Sequence, residues 1–445
     1  MAASKKSGVW NLIDKIEGDK VIWMIVLILI MFSILAISSS TPLLAIMNKS
    51  SRAAIIYTQV AVAALGLGII LFFYKFVKKI GFLRWLSQFG FFISLILLLM
   101  LAVRFQSPVV RAVETNDAVR ALSVFGFQLH VFEFSKVFMI MYLAWATTAW
   151  REKSFRLAPM LAERGWTIFG KDNVQLFIYI VFPMMIVTLL TMMGSNSSAL
   201  FTGLMMVVTV LLGGVKIKKL LPYAAAAIVL GFVCIGINKA SGGKFLPRLG
   251  TAIERISLAG EDPEELLMQE EKGSPEFQKL LDKVRQPIAA KVAVSEGGVF
   301  GKGPGRSTQR YVVPIMFGDY MFSFIVEEYG LIGALVIIIL YGSLLARGTI
   351  LVRNCTNVFA QTAIAGLVVM ISGQALMHMF INADIGPLTG QTLPMISHGN
   401  SSFLAFSIAF GIILATSRMV KKKMDQEVKQ AAPLIENNGD EKRTY

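Results

Sequence analysis

Apolar stretches near or above the ~20 residues needed to cross a bilayer recur along the chain. They predict spans at 21–38, 53–73, 82–103, 131–150, 174–193, 198–215, 220–238, 319–346, 358–380 and 402–419. No small-residue cleavage site closely follows the first span and further spans do, so it reads as a retained helix rather than a signal peptide. The polar segments between spans are short except for one of about 80 residues, 239–318, a length that is usually functional or disordered. The pattern predicts an all-α, polytopic membrane protein of about ten transmembrane helices, with one large outward loop between helices 7 and 8. Residues 1–20 form a cytoplasmic N-terminal segment, 21–419 the transmembrane domain, and 420–445 a polar, disordered cytoplasmic tail.

Composition agrees with a bilayer environment. The 445 residues are 55% hydrophobic and 16% charged, against roughly 25% charged for soluble domains. The net charge of +15 would suggest a nucleic-acid partner in a soluble protein, but here most of it lies in short loops and reads as orientation. With the N-terminus inside, 22 Lys and Arg residues of the short loops and tail fall on the cytoplasmic side, against five outside (Lys49, Arg52, Arg104, Arg111 and Arg120). That bias follows the positive-inside rule and puts both termini in the cytoplasm of a cell whose inner membrane holds the protein. The two cysteines imply no disulfide framework.

Ionisable groups in or beside a span are costly, so each is either a functional group or one half of a structural pair. Glu133 and Lys136 stand i, i+3 at the outer start of the fourth span, where an ion pair and a substrate contact are both open. Asp319 opens the eighth span, where a helix N-cap competes with a chemical role. Glu327 and Glu328, two turns further on, read as buried partners for basic residues. In the long loop, Arg248 and Arg255 sit among Leu249, Ile253 and Ile256 as on an amphipathic helix lying at the membrane surface. The acidic stretch 261–276 reads as a solvated helical or mobile surface. The run Gly297-Gly298-Val299-Phe300-Gly301-Lys302-Gly303-Pro304-Gly305-Arg306-Ser307 lacks the preceding strand and lysine pattern of a nucleotide loop. Its successive main-chain N–H groups, with Lys302 and Arg306, suit a pyrophosphate at the membrane surface; a merely flexible loop is the alternative.

That run, followed by Gly318-Asp319-Tyr320-Met321-Phe322-Ser323-Phe324-Ile325-Val326-Glu327-Glu328-Tyr329-Gly330, resembles the signature of the SEDS family of peptidoglycan glycosyltransferases, GGLxGxGxGxS…LPExHTDFIFxxIxEExG. His130-Val131-Phe132-Glu133-Phe134-Ser135-Lys136 is similar to the family's QPSExxK, and Arg120 lies upstream where its ASRW arginine lies. The stretch from Gly386 to Ser402 is similar to LPxTGxxLPFxSYGGSS, and the resemblance in span order covers roughly 20–420. Ile315 and Phe317 replace the glutamate and histidine before the aspartate. Gly194-Ser195-Asn196-Ser197-Ser198-Ala199 stands where PDxGT is common, and Asn400 replaces the second glycine of YGGSS.

The family comprises FtsW, RodA and SpoVE-like proteins, which polymerise lipid II into glycan strands beside a class B penicillin-binding protein. The resemblance is greatest to the division type, which works with other division proteins, and the elongation type is the alternative. It implies that Asp319 is the essential aspartate and that Glu133 and Lys136 are the characteristic pair. It implies a general-base role for Asp319 or, alternatively, a divalent cation (Mg or Mn) bridging Asp319 to pyrophosphate. Lys136, Arg120, Arg248, Arg255 and Lys302 are candidates for binding the leaving pyrophosphate, with Ser397 and Ser401 in another wall of one outward cavity open sideways to lipid. A flippase would instead line a path through mid-membrane with these groups, and a division scaffold would need no Asp319.

Overall fold

The computed structural model describes residues 17–47, 49–115, 118–240, 268, 272, 274–313, 316–385 and 390–441. The apolar runs form helices, because a segment inside a bilayer must satisfy its main-chain N–H and C=O groups internally. In chain order these are α1 (Lys20–Ser40), α2 (Arg52–Phe76) and α3 (Ile80–Ala102), then α4 (Val131–Arg151), α5 (Asp172–Gly194), α6 (Asn196–Leu212) and α7 (Ile217–Ala240). After them come α8 (Pro275–Gly297), α9 (Met321–Asn354), α10 (Val358–Asn382) and α11 (Asn400–Glu441). Among the described residues seven of these, α1, α2, α3, α5, α9, α10 and α11, are long and apolar enough to cross a membrane. The other three expected spans, α4, α6 and α7, are also single helices; in α4 the apolar run is diluted by Glu133 and Lys136.

α11 is the central helix. In its apolar stretch 89% of residues are buried, against 33% in α2 and α3. Helices in a bilayer gain little from the hydrophobic effect and associate by close packing, which small residues permit. A Cβ on Gly66 of α2 would lie 2.5 Å from Ser407 Oγ and 2.6 Å from the Phe403 ring of α11, and one on Gly90 of α3 would lie 2.2 Å from the Phe138 ring of α4. α2 and α3 are joined by only three residues, yet α2 packs on α11, α3 packs on α4, and the two make little contact with each other. α4 and α11 in turn pack on each other.

The two ends of the bundle gather different residues. At one end the Asp19 carboxylate caps α1 by accepting from Val21 and Ile22 N–H and takes Arg347 of α9 through Nε (2.9 Å) and Nη2 (2.7 Å). Asp19 N–H donates to Ser417 Oγ of α11 (2.7 Å), and Arg418 donates to Val77 O (2.9 Å). All these segments are ones that the charge pattern assigns to the cytoplasm. The opposite end carries α8 and the start of α9.

Three features depart from the expectation. The segment before α4, read as a plain loop, forms a three-stranded antiparallel sheet in the order β1 (Val110–Thr115), β2 (Ala118–Val124), β3 (Phe127–Leu129). The expected all-α class holds, with this sheet as a local addition: strands of three to seven residues are faint beside apolar runs of twenty. The long loop contains a 23-residue helix, α8, capped by the Ser274 side chain at Phe277 N–H, and it begins where the acidic stretch ends. Finally, α11 continues to Glu441, so the described part of the 420–445 tail is helical rather than disordered. Extending an existing helix avoids the unfavourable nucleation step, and Lys423 and Glu427 add an i, i+4 pair at 3.7 Å.

Candidate active site

α9 breaks at Gly330, where φ is +67° and ψ −166°. A broken helix frees main-chain groups that need partners at membrane depth, and the glycine run supplies them. Leu331 N–H donates to Gly298 O (2.9 Å) and Ile332 N–H to Val299 O (3.3 Å), while Lys302 and Gly303 N–H donate to Glu327 O and Glu328 O (2.9 Å each). The two main chains run so close that a Cβ on Gly330 would lie 2.2 Å from Val299 O, and one on Gly301 2.3 Å from Glu328 O.

The next N–H groups of the run turn to carboxylates. Gly305 and Ser307 N–H donate to Glu328 Oε1 (2.9 and 3.4 Å), and Thr308 and Gln309 N–H to Glu327 Oε1 (2.8 and 3.3 Å). Lys302 Nζ binds Glu327 (2.8 Å), Thr308 and Glu296, and Arg310 lies 3.7 Å from Glu328. Desolvation lowers the Lys302 pKa, but hydrogen bonds to Glu296 and Glu327 outweigh it and hold the ammonium above its ordinary range. The expected pyrophosphate cradle thus has these donors already occupied. The donors of the run and Lys302 are engaged by Glu327 and Glu328, the buried partners that the sequence suggested for basic residues.

Asp319 sits one residue before the N-cap of α9, and α10 decides what its side chain does. Phe322 N–H donates to His378 Nε2 (3.3 Å), and Ser323 N–H and Oγ donate to Asn382 Oδ1 (2.9 Å each). Asn382 Nδ2 donates to Asp319 O (3.1 Å). The helix start is thus satisfied from α10, so the N-cap role weighed for Asp319 does not hold. Among the described residues the Asp319 carboxylate has no hydrogen-bond or salt-bridge partner. Its near neighbour is Gly390, where a Cβ would lie 3.5 Å from Oδ2. Burial raises its pKa to about 6, against the opposing charge of Arg120. Arg120, on β2, has a buried Nε without a partner among the described residues, and its charge is also felt at His130, the residue before α4. A carboxylate with open lone pairs and a pKa near the working range is suited to accepting a proton.

Lys136 was expected to face an open cavity. It is instead 1% exposed, and its three N–H donors meet Glu133 Oε1 (2.8 Å), Gln374 Oε1 (2.6 Å) and Gln391 Oε1 (3.2 Å). The Phe201 ring stands 5.4 Å from its ammonium. The predicted Glu133–Lys136 pair is present, and Glu133 Oε2 also accepts from Ser402 Oγ (3.2 Å). Gln391 Nε2 donates to Ser198 Oγ (2.9 Å). Gly390 and Gln391 are adjacent, their Cα atoms about 3.8 Å apart, so one short segment approaches both Asp319 and Lys136.

Ser397 Oγ donates to Gly318 O (2.8 Å) and accepts from Leu393 N–H (2.9 Å), while Ser401 Oγ donates to Gln128 O of β3 (2.5 Å). Both hydroxyls tie the walls to main-chain groups of neighbouring segments. Arg248 and Arg255 lie outside the described residues. Sequence reasoning missed Gln374, His378 and Asn382, although polar residues at i, i+4 and i+8 in an apolar span mark one polar face. Among the described residues no group of three His, Cys, Asp or Glu side chains could hold a metal ion. The expected cation, bridging Asp319 to pyrophosphate, would take the rest of its ligands from the substrate and water, so it needs no such cluster.

Comparison with known proteins agrees with this layout. Residues 19–422 match the family described as "Cell cycle protein", that of FtsW, RodA and SpoVE. The chain is 38% identical over 133 residues to a probable peptidoglycan glycosyltransferase FtsW of Caulobacter vibrioides, a match covering 30% of the chain and 34% of that relative. It is 25% identical over 413 residues to the probable peptidoglycan glycosyltransferase FtsW of Trichlorobacter lovleyi, covering 91% of the chain and 94% of that protein. The match to the Caulobacter vibrioides protein thus spans about a third of its length. Among solved structures, a chain of a peptidoglycan synthase complex that coordinates polymerization and crosslinking superposes with a TM-score of 0.60 at 21% identity, over 90% of this chain and 98% of that one. The Thermus thermophilus rod shape determining protein RodA gives 0.53 at 19% identity, over 91% and 98%. With the family match running through all ten expected spans, the chain belongs to the FtsW/RodA/SpoVE family of multi-pass membrane proteins.

Proposed function

We propose that this chain is a peptidoglycan glycosyltransferase that polymerises lipid II into β-1,4 glycan strands during cell division. It acts at the outer face of the cytoplasmic membrane, with both termini inside, beside a class B penicillin-binding protein. The observation that carries this reading is the Asp319 carboxylate, half-buried, without a hydrogen-bond or salt-bridge partner among the described residues, and under the charge of Arg120. Lipid II has an α-linked pyrophosphate at C1 of its N-acetylmuramoyl sugar, and the product linkage is β, so a single in-line displacement with inversion suffices. The acceptor's 4-hydroxyl is a weak nucleophile. As its oxygen bonds to C1, its proton passes to Asp319 and the C1–O bond to pyrophosphate breaks. Charge grows on the departing undecaprenyl pyrophosphate, and Arg120 is a fixed cation available to stabilise it. Lys136, with its donors engaged, sets Glu133 and Gln391 in place. The lipid tail would approach sideways between α2 and α3, which make little contact with each other. A transport path is disfavoured by the opposite end of the bundle, which Asp19, Arg347 and Ser417 tie together.

Strand synthesis on labelled lipid II by the purified protein with its partner tests the assignment. Asp319→Asn is expected to lower the rate by roughly 10²- to 10⁴-fold, the usual worth of general-base help, with partner binding intact. Residual activity above about a tenth of wild type, outside that range, would remove Asp319 from the base role.

A further inference from the structure

Aspartate is among the preferred residues for capping the exposed N–H groups at a helix start, and Asp319 lies next to four such groups. A capping carboxylate is turned toward its own helix and held in the charged form by the bonds it accepts. Neither condition suits a base that must reach a substrate hydroxyl. In this protein two side chains of α10 occupy the capping positions. His378 Nε2 accepts from Phe322 N–H, and the Nδ1 side of the ring faces Gln391 O at 2.7 Å, which fixes the neutral tautomer with the proton on Nδ1. Asn382 Oδ1 accepts from Ser323, while its Nδ2 donates to Asp319 O and to His378 O (2.9 Å). Both residues are buried, at 1% and 2% exposure. His378 therefore joins three parts of the site: the start of α9, the main chain beside Gly390, and through Gln391 the ammonium of Lys136.

We propose that His378 and Asn382 are positioning residues: they cap α9 from α10 and so keep the Asp319 carboxylate out of the cap and available to the acceptor hydroxyl. The proposal rests on the reading of Asp319 as the base. Removing a cap lets Asp319 swing in to replace it, which lowers its pKa and withdraws it from the reaction.

The test compares Asn382→Ala, His378→Ala and His378→Gln in the full-length protein with its partner, measuring kcat and KM for lipid II from pH 5 to 9. In both alanine variants kcat is expected to fall at least tenfold with KM within twofold of wild type, and the acidic limb of kcat to move to lower pH. His378→Gln, whose amide keeps one acceptor and one donor, is expected within threefold of wild type. If one alanine variant fails to fold, the other, with the glutamine variant, carries the test. An acidic limb that stays in place, or a glutamine variant as inactive as alanine, overturns the proposal. Asp319→Asn, assayed alongside, separates the two readings. If it is inactive while the limb stays put, only the positioning role fails; if it is active, the base assignment fails and the proposal with it.

Discussion

Burial and the Arg120 charge act on Asp319 in opposite directions, and burial wins, leaving ionisation near pH 6. A base must be deprotonated, so activity is expected to decline as pH falls through about 6, and Arg120→Gln to move that limb upward by removing the opposing charge. The linkage to stability has the reverse sign. A carboxyl whose folded pKa exceeds its unfolded value stabilises the fold below the unfolded value, and that contribution is lost as pH rises through about 6. Asp319→Asn is therefore expected to raise the melting temperature at pH 8; a lower one would show that the carboxylate is satisfied in the fold. Lys136 obeys a different logic, since removing one member of a buried ion pair strands the other. Lys136→Met should destabilise by about 3–5 kcal/mol, and adding Glu133→Gln should restore most of that stability without restoring activity. If the double variant regains polymerisation, the pair is structural. The sequence disclosed the i, i+3 pair and the exceptional place of Asp319, because charge in an apolar run is a strong signal. It could not disclose that Lys136 has no donor left or that Ser397 and Ser401 bind main-chain carbonyls, since those partners are distant in the chain: Gln374, Gln391, Gly318 and Gln128.

The elements differ in how openly they were written. Ten helices were legible from runs of apolar residues, with most ends shifted by a few residues, though α9 runs on to Asn354 and α11 to Glu441. The sheet was not, because β1 to β3 are short and their pairing depends on a sheet register that no single segment records. The break in α9 was also hidden, since Gly330 looks like any glycine in a span until the run 297–303 is brought against it. Its consequence is testable: Gly330→Ala would force a methyl group to within 2.2 Å of Val299 O, in a φ region that alanine avoids. The variant is expected to lose activity and thermal stability together, whereas Gly342→Ala, in open space on the same helix, should leave both unchanged. Equal effects at the two positions would rule out a special role for the break.

For the molecule as a whole, orientation is the property most open to a direct check. In a background lacking Cys234 and Cys355, a cysteine at Phe125, 86% exposed in the β2–β3 turn, is expected to react with a membrane-impermeant maleimide in intact spheroplasts. A cysteine at Met424, 43% exposed on α11, should react only after permeabilisation. The opposite pattern would place the site in the cytoplasm and end the polymerase reading.

The packing of Gly297–Gly303 against α9 also bears on how the protein is made. On the orientation proposed above, the chain up to residue 318 must reach the far side of the membrane during synthesis before α9 can settle. The outer part of α9 then enters with Glu327 and Glu328, each costing about 2.5–3.5 kcal/mol at the centre of a bilayer by insertion scales, with the cost decreasing toward the surface. Ser39 of α1 meets Glu328 from within the bundle (2.6 Å), but the other partners described above arrive when residues 302–310 fold back over the two carboxylates. The chain therefore has to insert first and complete its interior afterwards, and the residues around Asp319 take their final places among the last. A newly inserted chain should pass through a state in which every helix spans the membrane, yet this corner is open to proteases and quality-control factors acting from outside.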